Sequence, residues 1–112
     1  MTAIQKRRSL ALTLAHAMQK RNPTLSFGEV QMQGWKVLKL VEQMRQQKTK
    51  FTFQKVNGDT REAVGKFEQS LEQMILKRGS QKIPNVRFFD LTTDSDGRPK
   101  GWRSFRAELA KF

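Results

Sequence analysis

The chain has no cysteine and no tyrosine, a single histidine and three prolines in 112 residues. Without cysteine there is no disulfide framework, no zinc finger and no thiol chemistry. That usage fits an intracellular protein. His16 has neither a nucleophile nor an orienting acid set out beside it, so a structural histidine on a helix is the plainer reading. No run approaches the ~20 apolar residues of a membrane span. KRRSLALTLAHA imitates a targeting segment, but its apolar run, Leu10 to Ala15, is shorter than the ~7–15 residues a signal core needs. Neither a P-loop nor a GxGxxG pattern occurs. Asp94-Ser95-Asp96-Gly97 starts like a calcium loop, yet Phe105 stands where its bidentate acid belongs, so an ordinary turn is expected. No catalytic residue, metal ligand or cofactor is indicated, and no membrane partner.

Acidic residues are also scarce. Ten Asp and Glu face 22 Lys and Arg, a net charge of +12. Residues 1–50 hold ten basic and two acidic side chains, and residues 51–112 twelve and eight. A field of that sign attracts polyanions: nucleic acid, an anionic membrane surface or an acidic protein.

Residues 3–20 have helical composition, with Ile4, Ala11, Leu14, Ala15 and Met18 on one stripe, ended by Asn22-Pro23. Lys6, Arg7 and Arg8 oppose the positive end of that helix dipole, which favours a ligand role for them over a stabilising one. Ser26 and Glu29 form a capping box that opens a second helix to about residue 47. Its apolar face runs Phe27, Val30, Gly34, Val37, Leu38, Val41 and Met44. Lys36, Lys39 and Arg45 lie largely away from it, as a phosphate-facing stripe or a solvated one. Gly34 permits a close approach by the first helix or the sheet.

Residues 51–65 then read as a hairpin. Phe51 and Phe53 alternate with polar residues, and Asn57-Gly58 supplies a tight turn. A two-residue Asn-Gly loop sets Phe53 opposite Glu62; a three-residue loop over 57–59, with Phe53 opposite Ala63, is preferred because it puts Phe51, Phe53, Ala63 and Gly65 on one face. A third helix is expected over 67–78, from the spacing of Phe67, Leu71 and Met74 or Ile75. A second hairpin follows, VRFFDL and GWRSFR, with a loop from Thr93 to Lys100 that pairs Asp90 with Arg103 and Phe88 with Phe105. Phe89, Leu91 and Trp102 take its other face. The final RAELAKF forms at most two helical turns, docking Leu109.

The combination FTFQKVNGDTREAVG, VRFFDL and GWRSFR resembles the WYL-like, Sm/SH3-type β-barrel family, small proteins common in Bacteroidetes and in their phages and plasmids. The matching positions are Phe51, Phe53, Gly58, Arg61 to Gly65, Phe89 to Leu91, and Gly101 to Phe105, and the resemblance covers about residues 26–106. It implies an α+β fold: a small SH3/Sm-like antiparallel barrel of two hairpins, preceded by two N-terminal helices. The domain division that follows is a helical segment over 1–48 and the barrel over 49–112, with the extra helix inserted between the hairpins. The stretch between Gly65 and Val86 and the 94–100 loop depart from the family's pattern.

Barrels of this kind host many functions, so the site rests on side chains. Arg98, Lys100 and Arg103 cluster around Trp102, with Arg61 and Arg87 on neighbouring strands. Arginine forks match phosphate, and an exposed Trp stacks on an unpaired base. The alternative is that Trp102 is core and Arg103 merely pairs with Asp90. A groove for proline-rich peptides is disfavoured by the lack of tyrosine. The expected function is non-enzymatic nucleic-acid binding by an accessory protein of a phage or other mobile element. The rival is an inhibitor or adaptor aimed at an acidic or nucleic-acid-binding surface of a host protein.

Overall fold

The computed structural model describes residues 2–112, which form two helices followed by a six-stranded antiparallel sheet. Helix α1 spans Ala3–Arg21 and α2 spans Phe27–Gln46. Ser26 accepts from the Glu29 N–H at 3.2 Å, one half of the expected capping box. The reciprocal box occurs on α1, where Thr2 accepts from the Gln5 N–H and Gln5 Oε1 accepts from the Thr2 N–H. Leu10, Ala11, Leu14, Ala15 and Met18 of α1 are buried, while Ile4 lies beyond the packed part and is exposed. The helices approach closely at Gly34, where a Cβ would stand 2.9 Å from the Ala11 carbonyl oxygen.

The strands are β1 (Thr49–Gln54), β2 (Thr60–Lys66), β3 (Ile75–Arg78), β4 (Gln81–Thr93), β5 (Pro99–Arg106) and β6 (Ala110–Lys111). Their order is β3-β4-β2-β1-β6, with β5 on β4. A 3₁₀ turn over Ala107–Leu109 carries the chain from β5 to β6, which pairs back onto β1. The sheet thus curls into a barrel with one open seam beside β5. On its inner face Phe51, Phe53, Phe88 and Phe105 form one cluster, with ring centroids 5.1–6.4 Å apart. Met44 of α2 closes over it, and a Cβ at Gly65 would come within 2.5 Å of the Met44 sulfur.

Four local expectations need correction. Residues 67–78 are not a helix: Phe67 is buried beyond β2, Ser70 starts a single 3₁₀ turn over Leu71–Gln73, and residues from Ile75 on are strand. β4 is 13 residues long. Its first half needs a partner for its backbone groups, and β3 supplies one across the two-residue turn Gly79-Ser80. That tertiary demand outweighs the helical spacing. In the first hairpin the loop is Val56-Asn57-Gly58, closed by the Lys55 N–H to the Asp59 carbonyl, with Gly58 at φ 96°. Phe53 therefore faces Arg61, and Phe51 faces Ala63. In the second, Val86 faces Phe105 and Phe88 faces Arg103, because Asp94 tightens the loop by accepting from the Asp96 and Arg98 N–H groups. Both registers move by two residues, so every side chain keeps its expected face. At the C-terminus the expected helical turns are the 3₁₀ turn and β6.

Candidate nucleic-acid interface

The solvent side of β2, β4 and β5 carries alternating cations and rings. Lys66 lies opposite Phe89 in the β2–β4 ladder, and Phe89 lies opposite Trp102 in the β4–β5 ladder. Phe89 and Trp102 meet edge-to-face at 90°, with centroids 5.6 Å apart. The Arg87 guanidinium sits 4.5 Å from the centre of the Trp102 ring, and the Lys66 ammonium 5.6 Å from that of Phe89. Trp102 is 45% exposed, so its core reading is overturned. A cation over an aromatic face gains about 0.5–1 kcal/mol at an exposed site. With Arg87 over its ring, Trp102 still keeps nearly half of its surface in solvent. Lys66 also meets Glu68 at 3.3 Å.

The seam adjoins this row. It is a groove of about 520 Å³ between β5 and the β1–β2 turn, floored by Phe53 and Phe105 and flanked by Lys55, Arg61, Arg103 and Arg106. Among the described residues no carboxylate lines it. Arg103 does not pair with Asp90 as expected. Asp90 is fully buried, accepts from the Thr92 N–H and hydroxyl, and has Arg61 as its nearest cation at 3.8 Å. Arg103 is exposed. Arg98 lies in the exposed turn before β5 and Lys100 at its start.

The helical candidates divide. Arg7 makes two hydrogen bonds to Glu42, at 2.7 and 2.9 Å, and Lys6 meets Glu72 at 3.6 Å. These carboxylates lie beside the two cations that oppose the helix dipole. Arg45 borders the same acidic edge, while Arg8 is exposed. Lys36 and Lys39 join Lys50 and Lys111 around a separate cleft of about 460 Å³ between α2, β1 and β6. His16 is exposed, with its ring 5.0 Å from Phe27.

Sequence reading passed over Lys66, Phe89 and Arg106 as site residues. Lys66 and Phe89 carry a weak signal, since each follows or precedes an inward-facing neighbour, Gly65 or Asp90. It also missed the network that ties α1 to the barrel. Arg21 donates to Glu108, Asn85 and the Pro84 carbonyl, and Asn22 donates to Glu108. Burial pushes the Glu108 carboxyl up, but the hydrogen bonds from Arg21 and Asn22 and the Arg21 charge outweigh it, leaving its pKa below the ordinary value.

The family model described as WYL_2, Sm-like SH3 beta-barrel fold, matches residues 37–109. The chain belongs to this family. The matched part of this WYL_2 chain runs from the middle of α2 through the 3₁₀ turn before β6, and so contains both the aromatic row and the seam. No curated protein and no solved structure matches the chain. Among the described residues no helix is long and apolar enough to cross a membrane.

Proposed function

We propose that this WYL_2 protein is a non-enzymatic nucleic-acid-binding protein that takes unpaired bases on the outer face of β4 and β5 and phosphates on the cations around them. The observation that supports this most is the stacking of Arg87 on a half-exposed Trp102. An unpaired base stacks on an indole or on a guanidinium plane with little regard to its identity. Lys66 lies within the same surface and Lys100 at the start of β5, and they meet the phosphates as charges rather than as base readers. Sequence preference is therefore weak. The setting that goes with the family resemblance is a phage or other mobile element, acting as an accessory in the cytoplasm of its bacterial host.

A mobility-shift assay with single- and double-stranded DNA and RNA at two salt concentrations tests the reading. Affinity for single strands should fall steeply with salt, by powers of ten for six or more phosphate contacts. Trp102→Ala should weaken it by roughly tenfold, the low end of the ~1–3 kcal/mol per stacked base. A flat salt response, or capture of one host protein that survives nuclease while no oligonucleotide binds, would favour the inhibitor reading instead.

A further inference from the structure

The seam beside β5 has a second property, carried by its backbone. The Arg87 N–H donates to the Met74 carbonyl at 3.0 Å, toward β3 and away from β5. Arg87 lies opposite Ser104. Theirs is thus a non-hydrogen-bonded pair of the antiparallel ladder, and the N–H and C=O of Ser104 point away from β4. The same alternation turns those of Trp102 outward. Among the described residues no strand pairs with β5 on that side. The outward groups of Trp102 and Ser104 thus offer donors and acceptors in alternation, beside a floor of Phe53 and Phe105 and the cations Lys55, Arg103 and Arg106, with Arg61 next to the buried Asp90.

We propose that this edge docks an extended acidic segment of another protein, which adds to the barrel as a strand next to β5. Three observations choose that occupant. A strand offers donors and acceptors in alternation, as the edge requires, whereas a phosphate backbone offers acceptors only and would face the Trp102 and Ser104 carbonyls without a match. The cations Lys55, Arg103 and Arg106, in a groove that no carboxylate lines among the described residues, select glutamate- or aspartate-bearing strands. A second copy of this chain, at +12, would bring like charge to a cationic edge. The charges that guard the edge against ordinary strand pairing therefore also specify what it accepts. The site is distinct from the aromatic row, sharing only Trp102 at its margin.

Ser104→Pro tests this directly. It deletes an N–H that takes no part in the β4–β5 ladder and leaves every charge in place. The probe is a capped, fluorescein-labelled octapeptide alternating Glu and Thr, titrated by anisotropy against nuclease-treated protein. Binding should weaken at least tenfold in Ser104→Pro, while affinity for a single-stranded oligonucleotide stays as in the unaltered protein. As a check that spares the protein, the same peptide N-methylated throughout keeps its charge, loses its donors, and should lose binding by a similar factor. Equal peptide affinity in both comparisons would overturn the proposal, leaving attraction by charge alone. It would equally be overturned if Ser104→Pro removed oligonucleotide binding instead, or abolished a self-association of the protein measured by sedimentation. Because the peptide arm uses no nucleic acid, failure of the base-stacking reading does not alter its result.

Discussion

The helical end and the sheet are both rich in Lys and Arg, but the two regions use them differently. On the helices, Lys6, Arg7 and Arg21 each meet a carboxylate, and Arg21 joins three segments of the chain. On the sheet, Arg87 lies over the Trp102 ring, and Arg103 and Arg106 line a groove without acids among the described residues. Net charge alone therefore does not locate a binding surface. What distinguishes a cation free to meet a ligand from one that holds the fold is whether its local partner is an anion or a ring.

Substitutions in the two regions should separate along that line. The largest loss of stability is expected for Arg21→Ala, about 3 kcal/mol in urea unfolding, because Glu108 is left buried without its cation. Oligonucleotide affinity should not change. Gly65→Ala should cost about 2 kcal/mol, since its methyl meets the Met44 sulfur and the Phe88 ring at 2.5 and 2.9 Å. Trp102→Ala reverses the pattern, with a loss of affinity near tenfold and less than about 1 kcal/mol of stability for a half-exposed side chain. Arg7→Ala should be the mildest, below about 1 kcal/mol and silent in binding, as expected of an ion pair at the surface.

Acid sharpens the contrast. The Glu108 pKa is lowered on folding, so its contribution to stability is present above the unfolded value of 4.5 and is lost as pH falls through the folded value. Stability of the unaltered protein should therefore fall more between pH 6 and pH 3 than that of Glu108→Gln, measured by urea midpoints at both.

Faces were legible in the sequence where pairings were not. Strand side chains alternate with period two, so Phe51, Phe53, Phe88 and Phe105 could be assigned inward without knowing the register, and a shift of two residues left them there. The loops that set register depend on Gly58 at positive φ and on the Asp94 carboxylate capping two amides, details that composition does not rank. β3 was hidden because FEQSLEQMILKR carries helical spacing and becomes strand only when the long β4 needs a partner. Trp102, Arg87 and Arg103 were identifiable as candidates, but whether the indole was core or surface depended on which face of the sheet the phenylalanine cluster takes. Arg21 and Glu108, 87 residues apart, leave no local signal at all.

The most direct test of the base-stacking account is an anisotropy titration of a single-stranded oligonucleotide against the protein and Trp102→Ala across a range of salt. The account predicts roughly tenfold weaker binding at every salt concentration with the same salt slope, because an uncharged stacking group is lost and the phosphate contacts remain. Equal affinity for the two proteins would contradict it.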